Sequence, residues 1–347
     1  MNAPQPTPRP ASPPPARTGV RIAGTGSCLP DQRLTNTDLE RMMETSDEWI
    51  VQRTGIRERR RIDSAKGECT RSLSVGALRN ALAAARVEAR DLDLIVVATM
   101  TPEMGCPPTA CLVAADIGAA KPAAFDINGA CSGFVFALNT VHDMVRSGAF
   151  RTVALVGADT LTVHMDYCSA GRGTAILFGD AAGAVIIRAT DDASKGLIAQ
   201  CMHSDGTGWK EIYIPEHERH FPPGVSCDPA KFGHVQMNGA GVFKFAVTTF
   251  SNLIQETLDK ARLKAEDIDM FVCHQSNARI LTAARERFGI PQDRLHVNID
   301  RVGNTVAASV PLCLDELVRA GRVGEGCKVM FLGFGGGLTW GSSLWQF

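Results

Sequence analysis

A lone thiol in a bare setting is the first feature that could do chemistry. The stretch "FDINGACSGFVFAL" (125–138) holds Cys131 among Gly129, Ala130, Ser132 and Gly133. It reads as a strand, a small-residue elbow and then an apolar helix. Cys131 therefore falls at a helix N-terminus, where the dipole and unpaired N–H groups favour a thiolate. Neighbours with almost no side chain leave the sulfur open to a substrate. A buried inert thiol is the competing reading, since Cys131 is one of eleven cysteines.

Three further stretches carry suitable groups. In "CHQSNARI" (273–280), His274 ends an apolar run and is followed by Gln275, Ser276 and Asn277. It would emerge at a strand end, where α/β folds place their ligand crevices, although a capped surface turn fits the same residues. In "DRVGNTVAASVPLCLDEL" (300–317), Asn304 sits in a glycine-containing turn before a small-residue helix. Asparagine is common there for backbone reasons alone. In "FLGFGGGLTWGSSLWQF" (331–347), Gly335, Gly336 and Gly337 would let a loop bring its N–H groups close to a reacting centre, as an oxyanion hole requires.

Elements must exist to bring these stretches together. The runs 91–100, 152–159, 181–189 and 328–337 read as buried strands. Residues 71–87 and 241–263 carry helical patterns. Alternating strands and helices predict an α/β fold. The segment "ARVEARDLDLIVVA" (85–98) matches "ARLKAEDIDMFVCH" (261–274) at six of fourteen positions, 176 residues apart. A repeat at half the chain length predicts two copies of one α/β unit, over 19–190 and 191–347. His274 then takes the place of Ala98.

Composition narrows the field. The net charge of −1 gives no global signal for nucleic acid. Scattered cysteines without a C-x-x-C pair argue against a zinc cluster or disulfide framework and point to a reducing, cytoplasmic setting. No stretch approaches the roughly 20 apolar residues of a membrane span. Residues 1–18 are proline-rich without an apolar core, so they read as a disordered tail rather than a secretory signal. Neither the Gly24-x-Gly26 pair nor the 335–337 run completes a dinucleotide fingerprint, so no nicotinamide site is expected. A papain-like protease also uses Cys, His and Asn, but its local signature around the cysteine is missing.

Taken together, "SDEWIVQRTGIRERR", "FDINGACSGF", "GRGTAILFGDAAGA", "CHQSNARI", "GNTVAAS" and "FGGGLTWGS" resemble the β-ketoacyl-acyl carrier protein synthase III family of the thiolase-like superfamily, in the family's order and from about Val20 to Phe347. The resemblance implies a five-layered αβαβα fold, a homodimer and a Cys131–His274–Asn304 triad. It implies a decarboxylative condensation of acyl-CoA with malonyl-acyl carrier protein, initiating fatty acid synthesis with no metal or redox cofactor. The N–H groups of Cys131 and Gly336 would form the oxyanion hole. Trp49 and Arg172 would sandwich the CoA adenine, with Arg53 at the nucleotide end and Asn277 beside the pantetheine arm. Lys244, Arg279 and Arg287 would form a basic rim for acyl carrier protein. Cys106, where the family often has a bulkier residue, would open the end of the acyl pocket. Ser276 replaces a common alanine, and Glu286 a common basic residue. A polyketide starter synthase, or an acyltransferase of the same family using a non-acetyl group, is the alternative.

Overall fold

The computed structural model describes residues 18–347, so the tail expected over residues 1–18 lies, apart from Thr18, outside the described residues. Strands β1 (Gly19–Cys28), β2 (Leu94–Ala98), β3 (Ala123–Ile127), β4 (Thr152–Asp159) and β5 (Ala181–Thr190) form one sheet, in the order β1-β5-β4-β2-β3. Strands β6 (Gly196–Ser204), β7 (Met270–Cys273), β8 (Lys328–Gly335) and β9 (Thr339–Gln346) form a second, in the order β7-β8-β9-β6. The helices that matter are α1 (Asp47–Thr54), α2 (Thr70–Ala85), α3 (Thr109–Asp116), α4 (Gly133–Arg146), α5 (Gly239–Ala261), α6 (Ala278–Arg287) and α7 (Ser309–Arg319).

The strand side chains show why five layers stack. Successive residues point to opposite faces of a sheet, and here both faces are apolar. Leu94, Val96, Val153 and Leu155 join Val272, Val329 and Phe331 in one central core with α4 and α7. The alternate residues Ile95, Val97, Ala154 and Val156 pack outward against α2 and α3. Phe271, Met330 and Leu332 pack outward against α5 and α6. The layers run helix, sheet, helix, sheet, helix: the thiolase-like αβαβα arrangement.

The 176-residue echo is also geometric. Strand β2 begins at Leu94 and β7 at Met270, β4 at Thr152 and β8 at Lys328, α4 at Gly133 and α7 at Ser309. Even the left-handed residues recur: Arg86 (φ 53°) with Arg262 (φ 56°), and Ala130 (φ 46°) with Val306 (φ 52°). Where the first sheet has β3 beside β2, the second has only a parallel bridge between Phe271 and Leu295. Gly24 and Gly26 serve packing: a Cβ at either would come within 2.5 Å of the α2 backbone. Among the described residues, no helix is long and apolar enough to cross a membrane.

Candidate active site

The elbow that carries Cys131 is a single 3-10 turn, Ala130–Ser132, between β3 and α4. The Asn128 side-chain oxygen accepts from Ala130 N at 3.2 Å and steadies the turn. His274 follows β7 directly, its N–H donating to Leu332 O at 2.8 Å and its ring edge-on to Phe334. Asn304 precedes the 3-10 turn that opens α7. Its backbone bridges to the 177–179 segment through Leu177 O (2.8 Å) and Gly179 N (3.0 Å), and its side-chain oxygen accepts from Val306 N at 3.0 Å.

Elements from both halves thus bring Cys131, His274 and Asn304 to one cavity of about 630 Å³, open mouth included. Its other walls are largely apolar, among them Phe178, Ile212, Phe243, Ala246 and Phe334. Gly335 and Gly336 line it too. A Cβ at Gly335 would stand 2.6 Å from Cys131 Cβ and 2.8 Å from Sγ, so only glycine leaves room for the Cys131 side chain. The Gly336 loop is pinned to the elbow by the Thr339 hydroxyl, which lies 2.9 Å from Gly336 O, 3.1 Å from Gly129 O and 3.2 Å from Ser132 Oγ.

Electrostatics corrects the expectation of a standing thiolate. Burial pushes the Cys131 thiol up to about 12; the Asp159 carboxylate adds to the rise, and backbone N–H groups of Gly336 and Cys131 oppose it. Losing water around sulfur outweighs the helix terminus. Burial likewise pulls His274 down to about 3, against a hydrogen bond to the Val306 backbone. The resting pair is therefore a thiol and a neutral imidazole. The His274 Nδ1 is buried without a hydrogen-bond partner among the described residues.

Asp159 was missed in the sequence. It is fully buried at the end of β4 and accepts from Thr99 Oγ1 (3.1 Å), Met100 N (2.9 Å), Thr101 N (3.2 Å) and Thr101 Oγ1 (3.0 Å) on one side, and from Ala307 N (3.0 Å) on the other. It ties the first half to the turn beside Asn304. Burial raises it to about 6 despite these donors. The one available signal was a single acid closing an otherwise apolar strand. Gln275, also fully buried, holds the 296–299 segment by accepting from Asn298 N (3.0 Å) and donating to His296 O (3.2 Å).

The remaining candidates fall in three places. Arg53 and Arg172 both stack on Trp49, with guanidinium carbons 4.6 Å and 4.9 Å from the ring centroid. Arg172 also donates to Glu44 O at 2.6 Å, so a base entering between Trp49 and Arg172 must displace it. Asn277 links this cluster to the cavity: it lines the cavity, caps α6 through Arg279 N (2.9 Å), and donates to Arg53 O at 3.0 Å. Lys244 on α5 and Arg279 and Arg287 on α6 are exposed on neighbouring helices that also supply cavity walls. Exposed Glu286 stands 3.9 Å from Arg285 within that basic region. Cys106 is exposed and does not line the Cys131 cavity of its own chain.

Comparison with known proteins gives the family. The 3-oxoacyl-(acyl-carrier-protein) synthase III profile matches residues 125–206, and the C-terminal profile of the same family matches residues 258–347. The chain is 45% identical over 332 residues to a β-ketoacyl-(acyl-carrier-protein) synthase III of Xylella fastidiosa, covering 95% of this chain and 99% of that relative. The crystal structure of 3-oxoacyl-(acyl-carrier-protein) synthase III from Aquifex aeolicus superposes with a TM-score of 0.87 at 38% identity, over 95% of this chain and all of that one. A priming β-ketosynthase of a polyketide biosynthetic pathway superposes with a TM-score of 0.88 at 34% identity, over 97% of this chain and 99% of that one. The chain belongs to the 3-oxoacyl-(acyl-carrier-protein) synthase III family.

Proposed function

We propose that this protein joins an acyl group from acyl-CoA to malonyl-acyl carrier protein with loss of carbon dioxide, starting fatty acid chains. The observation that carries the reading is one apolar cavity lined by Cys131, His274, Asn304 and the Gly336 loop. Sulfur attacks the thioester carbonyl, the CoA thiol leaves with the Cys131 proton, and the acyl group stays on Cys131. The N–H groups of Cys131 and Gly336 hold the tetrahedral oxyanion. Malonyl-carrier then enters and its carboxylate departs as carbon dioxide. Neutral His274 and the Asn304 amide donate to the thioester oxygen where enolate charge grows. The enolate carbon attacks the acyl-enzyme, and Cys131 leaves, taking up one proton. A neutral imidazole suits this role, since it need only donate a hydrogen bond. The chemistry as written requires no metal or redox cofactor.

The same reading assigns Trp49, Arg53, Arg172 and Asn277 to CoA, with Arg172 swinging off Trp49 to admit the adenine. It assigns Lys244, Arg279 and Arg287 to the acidic carrier, weakened by Glu286. It makes the protein a cytoplasmic homodimer, supported by eleven unbridged cysteines, by exposed Met104 two residues before Cys106, and by exposed Val163, which shares a cleft with Pro102 and Glu103. Across such an interface Cys106 reaches the acyl pocket of the second copy. The test is carbon dioxide release from malonyl-carrier over a series of acyl-CoA lengths and branches. Release with longer or branched starters supports an open acyl end. Release with acetyl-CoA alone removes the Cys106 role and leaves condensation standing. The polyketide priming enzyme among the structural neighbours favours, as a second reading, a specialised starter synthase.

A further inference from the structure

On the outer face of the second sheet, β6 and α5 bring together three groups that condensation does not use. Cys201 and His203 are two apart on β6, so both point to one face of the strand. Glu256 projects from α5. The Cys201 sulfur, a His203 ring nitrogen and a Glu256 carboxylate oxygen all lie within 4.8 Å of one another. His203 Nε2 stands 2.9 Å and 3.1 Å from the two Glu256 oxygens. Lys260, one turn along α5, places Nζ 3.0 Å from Glu256 Oε1 and donates to Gln200 O at 3.4 Å.

We propose that Cys201, His203 and Glu256 form a binding site for a divalent transition metal ion, zinc by its ligand chemistry, which Lys260 guards as a competing cation. Sulfur, imidazole and carboxylate together suit zinc and not calcium or magnesium, which take oxygen ligands. Zinc bonds of about 2.0–2.3 Å put tetrahedral ligand atoms roughly 3.4–3.6 Å apart, so His203 and Glu256, now 2.9 Å apart, part slightly and the sulfur, within 4.8 Å of both, draws in by about 1 Å. Three protein ligands leave a fourth position for water. His203 and Glu256 side chains, 38% and 36% exposed, leave a way in. The frame is firm: Cys201 pairs with Ser342 in the sheet, and the Thr257 hydroxyl sits 3.8 Å from its sulfur as an outer partner. On binding, the Cys201 thiol releases its proton to solvent as the metal–sulfur bond forms. His203 binds as neutral imidazole. Lys260 keeps its proton and swings away from Glu256. The thiolate and carboxylate then balance the two charges of the ion. The site is separate from the reaction: Glu256 lies ten residues beyond Ala246, the last α5 residue on the Cys131 cavity, or about 15 Å along the helix.

The test is cobalt(II) titration of the full chain carrying Cys131→Ala, which removes the nucleophile's own thiol. One equivalent of cobalt is expected, with a thiolate-to-cobalt charge-transfer band and the visible bands of four-coordinate geometry, both erased by added zinc. Cys201→Ser should abolish the charge-transfer band. His203→Ala, at a half-exposed side chain, should weaken binding at least about tenfold, since loss of an outer partner alone costs that much. Lys260→Met should tighten binding. If Cys201→Ser does not fold, judged by circular dichroism, the last two variants carry the test. Absence of the band in the parent, a band unchanged in His203→Ala, or weaker binding in Lys260→Met overturns the proposal.

Discussion

The two turns that open α4 and α7 are the same device with different cargo. Both follow an asparagine whose side-chain oxygen caps the turn, Asn128 in one and Asn304 in the other. Both hold a left-handed residue, Ala130 or Val306, two positions after that asparagine. The next position is Cys131 in the first half and Ala307 in the second. Cys131 faces the cavity, whereas Ala307 is 1% exposed with its N–H on Asp159. The strand ends diverge in step: Ala98 answers to His274, and Asp159 to Gly335. One backbone frame thus supports a cavity-facing thiol on one side and, in the proposed reaction, hydrogen-bond donors on the other.

Moving the thiol from one turn to the other should have the largest effect. Cys131→Ala should lower acyl transfer at least about 10³-fold, and adding Ala307→Cys should not restore it, because that position faces the central core. Recovery measured with radiolabelled acyl-CoA would contradict the division of labour. Next, His274→Ala and Asn304→Ala should each slow condensation about 10²–10³-fold while leaving acyl-enzyme formation nearly intact. Single-turnover assays of the two steps separate these effects, and equal losses in both would count against the donor role.

A smaller effect is expected from Gly335→Ala. Its new Cβ would stand 2.6 Å from Cys131 Cβ, so we expect a loss of about 1–3 kcal/mol in urea unfolding together with slower acylation. An unchanged midpoint would mean that the turn yields easily. The protonation state is tested by alkylation. With the thiol pushed up to about 12, the thiolate fraction grows with pH, so the rate with iodoacetamide at Cys131 should keep climbing past pH 9. A plateau near neutrality would restore the standing thiolate. The smallest change is Ser276→Ala. Its hydroxyl is buried without a partner among the described residues, so removal should be neutral or stabilising by less than about 1 kcal/mol, read as a shift in Tm.

The strands and the long helices were legible because their runs are apolar on both faces and their periods distinct. Strand β4 begins and ends where its sequence run does, and the 85–98 echo marks the register of an entire half. The titration states were not legible. A helix N-terminus is visible in sequence, but the desolvation that overrides it at Cys131 comes from packing with residues distant in the chain, such as Gly335. Asp159 was obscure for the same reason: its five donors come from two segments far from it in the chain, 99–101 and Ala307. The closed stack of Arg172 on Trp49 depends on the Glu44 carbonyl, which no local pattern announces.

In the proposed reaction Cys131 carries the acyl group between two substrates. Intact mass after mixing with an acyl-CoA panel, followed by malonyl-acyl carrier protein, tests it most directly. The expected result is an acyl adduct that is lost in Cys131→Ser and is discharged by malonyl-carrier with release of carbon dioxide. An adduct that persists in Cys131→Ser, or one that malonyl-carrier leaves untouched, would contradict it.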